Sequence, residues 1–502
     1  MKKKQEKKKC NPILAMLFLS LLVIFASFFG EIFGLQANQT IISSGTLETT
    51  LVVVNNIFSL DGVKYIFNNL LNNFTLLEPI ILLLISFATL SIFEASGLAQ
   101  LLASKFKNTQ YKFITFITLI ISIIFSFLGE YSFIFLIPFF AIIYKHIGRN
   151  PIIGVLTSFL GLTMGYGTSL IISSNDCYLG SLTQLSAALD IDKTFVYNIF
   201  SEYFIMYAST IILAIFGTMI IEKILIPRLS KYKKEELKEY KISKKANKVT
   251  LITLAICFVL YIYMIIPNLP LSGILLQDND SYILSLLGDE SPFIKSFPIV
   301  LFGITILISF IHGRISGNIK NNKEFNKGLN LNFDKLGYPI TLLLFYTLLI
   351  TILNYTNLHT VIAINLIDFL STLEITGFVL IIILFFLTIL LSLIIPSSIA
   401  KWELMSPILV PLLMRANITP NFTTFIFKAA DGIGKSITPL FAYFILMIAF
   451  LDVFDNNDEI SILETLKKIL PTVGLFILLW LAIILAWYLV GFPIGINTYP
   501  TI

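Results

Sequence analysis

The stretch FKAADGIGKSITPLF, Phe427 to Phe441, interrupts an apolar run with Lys428, Asp431, Lys435, two glycines and a proline. An ionisable side chain at mid-bilayer costs about 2.5–3.5 kcal/mol on insertion scales. Three of them within eight residues therefore mark a site and not a lipid-facing helix. Gly432, Gly434 and Pro439 are expected to open the backbone there, exposing amides and carbonyls that an intact helix would pair internally. Helix N-termini exposed in this way favour anions and C-termini favour cations. Lys428 and Lys435 add full positive charge, and Asp431 can pair with either. A buried Asp–Lys pair that only fixed packing would not need glycines beside it.

Composition sets the surroundings of this stretch. Of 502 residues, 56% are hydrophobic and 13% charged, which excludes a water-soluble globule. Apolar runs long enough to cross a hydrocarbon core of about 30 Å recur along the chain, so the protein is expected to be an all-α polytopic membrane protein. Cys10, Cys177 and Cys257 have no paired or metal-like spacing, and His146, His312 and His359 form no HExxH pattern. The histidines are expected to cap helices or face solvent at the membrane surface, and no metal or other cofactor is expected. MKKKQEKKK at the start reads as a cytoplasmic basic head before a retained first span, without a cleavage site.

Net charge is only +5, but its placement orients the chain. RLSKYKKEELKEYKISKKANK (Arg228–Lys248) has nine basic and three acidic residues, and Gly313–Lys335 is also basic. The segment between them carries four acids and one lysine from Asn268 to Lys295. Cytoplasmic loops collect Lys and Arg, so both basic loops are expected inside with the N-terminus, and the acidic loop outside. These charge runs read as solvated loops, and no nucleic-acid partner is expected.

Nine spans are expected, at roughly 13–34, 78–103, 152–185, 201–227, 249–266, 297–312, 338–356, 420–450 and 470–491. Two further apolar stretches fit no simple crossing: the arms around FSFLGEYSF between Lys112 and Lys145, and those around LSLIIPSSIAKW between about residue 373 and Arg415. Both are expected to be re-entrant hairpins, tolerated at membrane depth only where buried in protein or lining a wet cavity. The two regions are related by a shift of 269 residues, which places Pro138 on Pro407, Pro151 on Pro420, Gly165 on Gly434, Ser169 on Thr438 and Gly129 on Ser398. Each half would then run hairpin, paired prolines, broken helix. An odd number of crossings between the halves would invert one relative to the other, a pattern of secondary transporters that bind substrate at the repeat interface.

AADGIGKS (Ala429–Ser436) nearly spells a phosphate-binding loop, but that loop needs a preceding strand and an aqueous nucleotide pocket. The longer stretches carry a more specific likeness. LSLIIPSSIAKWELMSPILVPLLMRANITP, FKAADGIGKSITPLFAYF, and GEYSFIFLIPFFAIIYKHIGRNPIIGVLTSFLGLTMGYGTSLIISSNDCYLGSLTQLSAA resemble the AbgT family, the p-aminobenzoyl-glutamate transporters. EASGL near Glu94 and NYTNLHTVIA (Asn354–Ala363) fit the same family, so the resemblance covers most of the chain. It implies nine transmembrane helices, two re-entrant hairpins and a homodimer.

Position by position, the resemblance places a membrane-embedded aspartate at Asp176, a tryptophan at Trp402, a loop proline at Pro420, a second aspartate at Asp431 and a Thr–Pro pair at Thr438–Pro439. Lys428 stands where the family has arginine, keeping charge but losing the bidentate fork. Ser169, Ser392 and Lys435 stand where the family usually has asparagines that resemble sodium-coordinating positions, and Pro396 replaces a glycine at the second hairpin tip. Sodium coupling is therefore in question, and a proton or sodium gradient is the expected energy source.

Substrate contacts are expected from Trp402, Lys428, Asp431, Pro420, Ser397 and Ser398. Trp402 would pack on the substrate's aromatic ring and Lys428 would attract carboxylates, with Asp431 holding the lysines in place. A coupling or ion site is expected at Asp176, Lys435, Ser169, Ser392, Thr438 and Glu130, with Asp176 carrying a proton or orienting a cation, and Lys435 supplying a tethered ammonium. The chain divides into a basic head (1–12), scaffold helices (13–111 and 201–372), two transport segments (112–200 and 373–450) and a final helix with the C-terminus (451–502). The expected function is elevator-type secondary transport of an anionic aromatic amide across a bacterial plasma membrane, and no enzyme is expected. Proton-driven efflux of sulfonamide antimetabolites is the alternative mechanism, and a non-transporting scaffold or sensor the rival of another class.

Overall fold

Continuous apolar sequence in a bilayer must pair its own backbone groups, and this chain does so almost entirely as helix. The computed structural model describes residues 10–43, 46–230, 232, 234, 236–279, 281–288, 291–372, 377–455 and 460–502. Most of the basic head (1–9) and residues 456–459 of the C-terminal part lie outside the described residues.

Helix α1 (Pro12–Ile32) leads into an antiparallel ribbon, β1 (Gln36–Ser43) and β2 (Thr46–Val53), with Gln36 opposite Val53. Next come α2 (Leu60–Thr75), α3 (Glu78–Ala95), α4 (Leu98–Lys105), α5 (Tyr111–Phe125) and α6 (Tyr131–Ile147). The middle of the chain holds α7 (Pro151–Met164), α8 (Ser174–Asp190), α9 (Tyr203–Ile220), α10 (Lys244–Tyr263), α11 (Tyr282–Leu287), α12 (Pro292–Ser316) and α13 (Asn322–Leu329). The last third holds α14 (Gly337–Thr356), α15 (Leu358–Ser371), α16 (Phe378–Ile394), α17 (Ser398–Arg415), α18 (Pro420–Lys435), α19 (Ala442–Phe454) and α20 (Ile462–Val490).

Among the described residues, eight helical stretches are long and apolar enough to cross a membrane. Seven coincide with expected spans; the eighth, Tyr111–Leu128, is the first arm of the first odd region. The expected spans 152–185 and 420–450 are each two shorter α-helices with a break between them, the first break opening with a 3-10 turn at Gly165–Gly167. The ribbon was not anticipated: its strands are eight residues each, too short to stand out beside the apolar helices.

Burial separates lipid-facing helices from central ones. Only 11% of the apolar window of α10 is buried and 22% of those of α1 and α12, so their apolar surface faces outward. Every residue of α7 and of α18 is buried. A helix covered all round by protein can carry charge without exposing it to lipid.

Both central helices start alike. Asn150 accepts from the Ile152 amide and Thr419 from the Phe422 amide, each followed by proline at the first helical position. The glycines of α18 do not break it, contrary to expectation: the helix runs unbroken to Lys435, and the break is Ser436–Phe441. They are needed for packing instead. A Cβ on Gly432 would stand 2.1 Å from the Thr163 carbonyl oxygen, and one on Gly434 would stand 2.3 Å from Ser392 Cβ. Small residues let membrane helices approach this closely. The first break, residues 165–173, follows α7 in the same way.

The two breaks are tied by matching hydrogen bonds. Ser169 Oγ donates to the Ile124 carbonyl at 3.0 Å and accepts from the Ile171 amide at 3.3 Å. Thr438 Oγ1 donates to the Leu393 carbonyl at 2.8 Å and accepts from the Leu440 amide at 3.3 Å. Every partner in the second set lies 269 positions after its counterpart in the first. The close approach of Gly165 to Ile123 is repeated by Gly434 and Ser392 at the same spacing.

Candidate functional site

Six ionisable side chains meet along α18, in two groups. In an α-helix each Cα–Cβ bond leans toward the N-terminus. Lys435 therefore reaches back one turn to Asp431, its Nζ 3.3 Å from Oδ2. Lys428 leans the same way, which from its position before Asp431 carries it away from that residue, and it meets Asp176 of α8 at 2.7 Å and Glu202 at 2.5 Å. The expectation that Asp431 holds Lys428 and Lys435 together is corrected on this point. Asp431 is shared instead by Lys435 and Lys401 of α17.

The first group is built on Asp431, which has no solvent exposure. Its Oδ1 accepts from Lys401 Nζ and, at 2.8 Å, from Ser392 Oγ; its Oδ2 accepts from Ser398 Oγ at 2.5 Å. Lys401 Nζ also donates to Ser392 Oγ at 2.7 Å, and Lys435 Nζ to Ser398 Oγ at 2.5 Å. Lys435 Nζ lies 4.0 Å from the centre of the Tyr166 ring and 5.4 Å from that of Phe441, within cation–π range. With both lysines charged, one carboxylate faces two ammonium groups.

The second group has the opposite balance, two carboxylates on Lys428. Asp176 also completes a capping box at the start of α8: its Oδ2 accepts from the Ser173 amide at 2.8 Å and from Ser173 Oγ at 2.7 Å. Glu202 Oε1 accepts from Tyr197 OH at 2.5 Å. Lys428, Asp176 and Ser169 line a void of about 10 Å³ with Tyr166, Ser126 and Thr168, room for about one water.

Trp402 is fully buried, its ring 4.4 Å from that of Phe427 and its Nε1 donating to Thr183 Oγ1 at 3.0 Å. Thr183 in turn meets Thr424, whose hydroxyl reaches the Pro420 carbonyl at 3.0 Å, so Trp402 and Pro420 belong to one packed seam. Ser397 caps α17 by accepting from the Ala400 amide. Ser397 and Glu130 open onto a cavity of about 370 Å³ that reaches from the tips before α6 and α17 to α2, α3 and α14. Glu78, Asn73, Asn354 and Tyr346 stand on its far wall.

Sequence reasoning missed Lys401 and Glu202. Lys401 was itself a signal, an ammonium in an apolar arm, but it sat inside AKW beside a more conspicuous tryptophan. Glu202 opens a long apolar helix, where an acid reads as an ordinary N-terminal charge. His312, expected at the surface, is fully buried between the Ser96 carbonyl and Asn247 Oδ1, and the side chain of His146 pairs with Glu94 at 3.1 Å. His312 bridges two neighbours through its two ring nitrogens, and His146 ties α6 to α3 through its Nε2.

The description of the AbgT putative transporter family matches residues 4–502. The p-aminobenzoyl-glutamate transport protein of Escherichia coli (strain K12) is 24% identical over 492 residues, covering 98% of this chain and 94% of that protein. The crystal structure of the YdaH transporter of Alcanivorax borkumensis superimposes with a TM-score of 0.50 at 25% identity, covering 97% of this chain and 100% of that one. MtrF of Neisseria gonorrhoeae, whose structure illuminates a class of antimetabolite efflux pumps, gives a TM-score of 0.49 at 26% identity, with 98% of each chain covered.

Proposed function

The chain belongs to the AbgT transporter family, and from that premise we propose that it carries p-aminobenzoyl-glutamate, or a related aromatic amide bearing carboxylates, across a bacterial plasma membrane. It is a multi-pass membrane protein of a transporter family and not an enzyme. The observation that carries the reading is the Lys401–Asp431–Lys435 group, two ammonium groups on one carboxylate beside a cavity between helix tips. An anion entering that cavity meets Ser397, then Ser398 and Lys435. Lys428 is already held by two carboxylates, so the nearer positive charge for a substrate is Lys435. Trp402 packs on Phe427 of the same helix, in one seam with Pro420 at that helix's start, and contact between Trp402 and substrate requires α17 to part from α18.

The matching hydrogen bonds around the two breaks support an inverted repeat. In this reading α5–α6 and α16–α17 are re-entrant hairpins, and together with α7, α8, α18 and α19 they form a moving transport unit. The remaining helices form the scaffold of a homodimer, with the N-terminus and basic loops on the cytoplasmic side. Asp176 locks the first break through Lys428 and is a candidate for coupling. The cycle needs no sodium: the oxygens of Asp431, Ser392 and Ser398 are already met by tethered ammonium groups.

Uptake of labelled p-aminobenzoyl-glutamate into proteoliposomes, with sodium and proton gradients imposed separately, tests this. Saturable uptake without sodium is expected. No uptake of any such amide rejects the substrate class, and uptake that rises steeply with sodium at fixed membrane potential rejects the tethered-cation reading. Expulsion of a sulfonamide in preference to the amide would favour the efflux alternative.

A further inference from the structure

We propose that Lys401 is the proton-carrying residue of the cycle: its ammonium, together with Lys435, holds the substrate anion, and its loss of a proton releases that anion. The inference rests on the transport reading above and adds the residue and the direction of coupling.

Charge balance carries it. Lys401 and Asp431 have no solvent exposure and the side chain of Lys435 has 5%, so one carboxylate must serve two ammonium groups in a medium that screens poorly. A bound carboxylate balances that excess while substrate is present. Once it leaves, one lysine stays uncompensated unless it sheds its proton. Lys435 has other compensation, namely the faces of Tyr166 and Phe441 and the Ser398 hydroxyl. Among the described residues, Lys401 has only Asp431 and Ser392. It is the lysine that loses least by becoming a neutral amine, whose lone pair can then accept from Ser392 Oγ.

The neighbouring elements add no other charge to Lys401. Helix α16 has no titratable side chain. On α18 its partners are Asp431 and Lys435; Tyr166 and Glu130 stand beyond Lys435. Helix α8 brings Asp176, held by Lys428, and Tyr178, which donates to Glu403 of α17 itself at 3.0 Å. Helix α15 carries His359 and Asp368, neither of them a partner of Lys401. Ser398 touches both Asp431 and Lys435, Asp431 in turn binds Lys401, and Ser397, next to Ser398 in the chain, lines the cavity, so one carboxylate and one hydroxyl stand between Lys401 and a cavity-lining residue. The step is one proton transfer, from water or hydronium in the cavity to Nζ, with an N–H bond formed on loading and broken on release.

Proton and anion then travel together, so labelled p-aminobenzoyl-glutamate should accumulate on the alkaline side of a proteoliposome membrane. One proton per substrate and one pH unit support about tenfold accumulation. Lys401→Arg cannot shed its proton and Lys401→Met cannot bind one; in both, the ratio of uptake with and without the gradient should fall to one. A Lys401 variant that keeps the wild-type ratio overturns the proposal, as does accumulation on the acidic side. A second measurement needs no substrate and survives failure of the transport reading. The thermal-unfolding midpoint in detergent should rise with pH in the wild type relative to Lys401→Met, because the unfolded chain binds the proton that buried Lys401 gives up. Parallel profiles would overturn the assignment.

Discussion

Asp431 is the residue on which the candidate site balances. Removing one partner of a buried ion pair costs about 3–5 kcal/mol, because the remaining charge is left uncompensated. Asp431→Asn leaves Lys401 and Lys435 together without a counter-charge, so it should lose folded protein as well as transport. Adding Lys401→Met should recover part of that stability; additive losses in a double-mutant cycle would show that the two side chains do not interact. Lys435→Asn should abolish transport or make it depend on sodium, and unchanged uptake would remove Lys435 from the site. Trp402 gives a test of packing. Trp402→Phe loses one hydrogen bond, worth about 1 kcal/mol, whereas Trp402→Ala opens a cavity costing about 3–5 kcal/mol. Equal melting shifts for the two would contradict the enclosed seam with Phe427. At this scale the sequence disclosed which residues were unusual but not which of them touch. The direction in which Lys428 and Lys435 lean decides their partners, and Lys401 and Glu202 come from distant helices that only the fold brings in.

Among elements, the lesson is about glycine. In a one-dimensional reading Gly432 and Gly434 look like a helix break; in three dimensions they are where α7 and α16 press against α18. Gly432→Ala and Gly434→Ala should each destabilise by about 1–3 kcal/mol or more, as overpacked cores do. Gly474→Ala in α20 meets nothing within 4 Å and is the tolerant control. If all three melt alike, close helix approach is not what the glycines provide. The break itself is set by Ser436–Phe441, where Pro439 and the Thr438 hydroxyl redirect backbone pairing toward Leu393. Ser169→Ala and Thr438→Ala should cost similar amounts, about 1 kcal/mol each, if the two breaks are equivalent. The long spans were legible because an apolar stretch of twenty residues has few other outcomes. The breaks were legible as places, not as boundaries, since proline and glycine punctuate a helix without fixing which residue ends it.

For the molecule as a whole, orientation is the property most open to a direct check. Cys10 is exposed at the start of α1, beside the basic head, while Cys177 is buried. A membrane-impermeant maleimide should label Cys10 only after cells are permeabilised, and labelling of intact cells would invert the proposed topology. One contact bears on how such a molecule arose. Lys435 lies against Tyr166, and these two positions are 269 residues apart, the spacing that relates the breaks. In the proposed inverted repeat, counterparts that touch would stand next to the axis exchanging the two halves. In an ancestor made of two identical chains, the side chain at this position would have faced its own copy. Two lysines there would repel, and two tyrosines would bring no charge. Under the proposed inverted repeat, fusion into one chain would free the two copies to differ, and a cation resting on an aromatic face is a pairing that no symmetric pair of identical chains could make at that point.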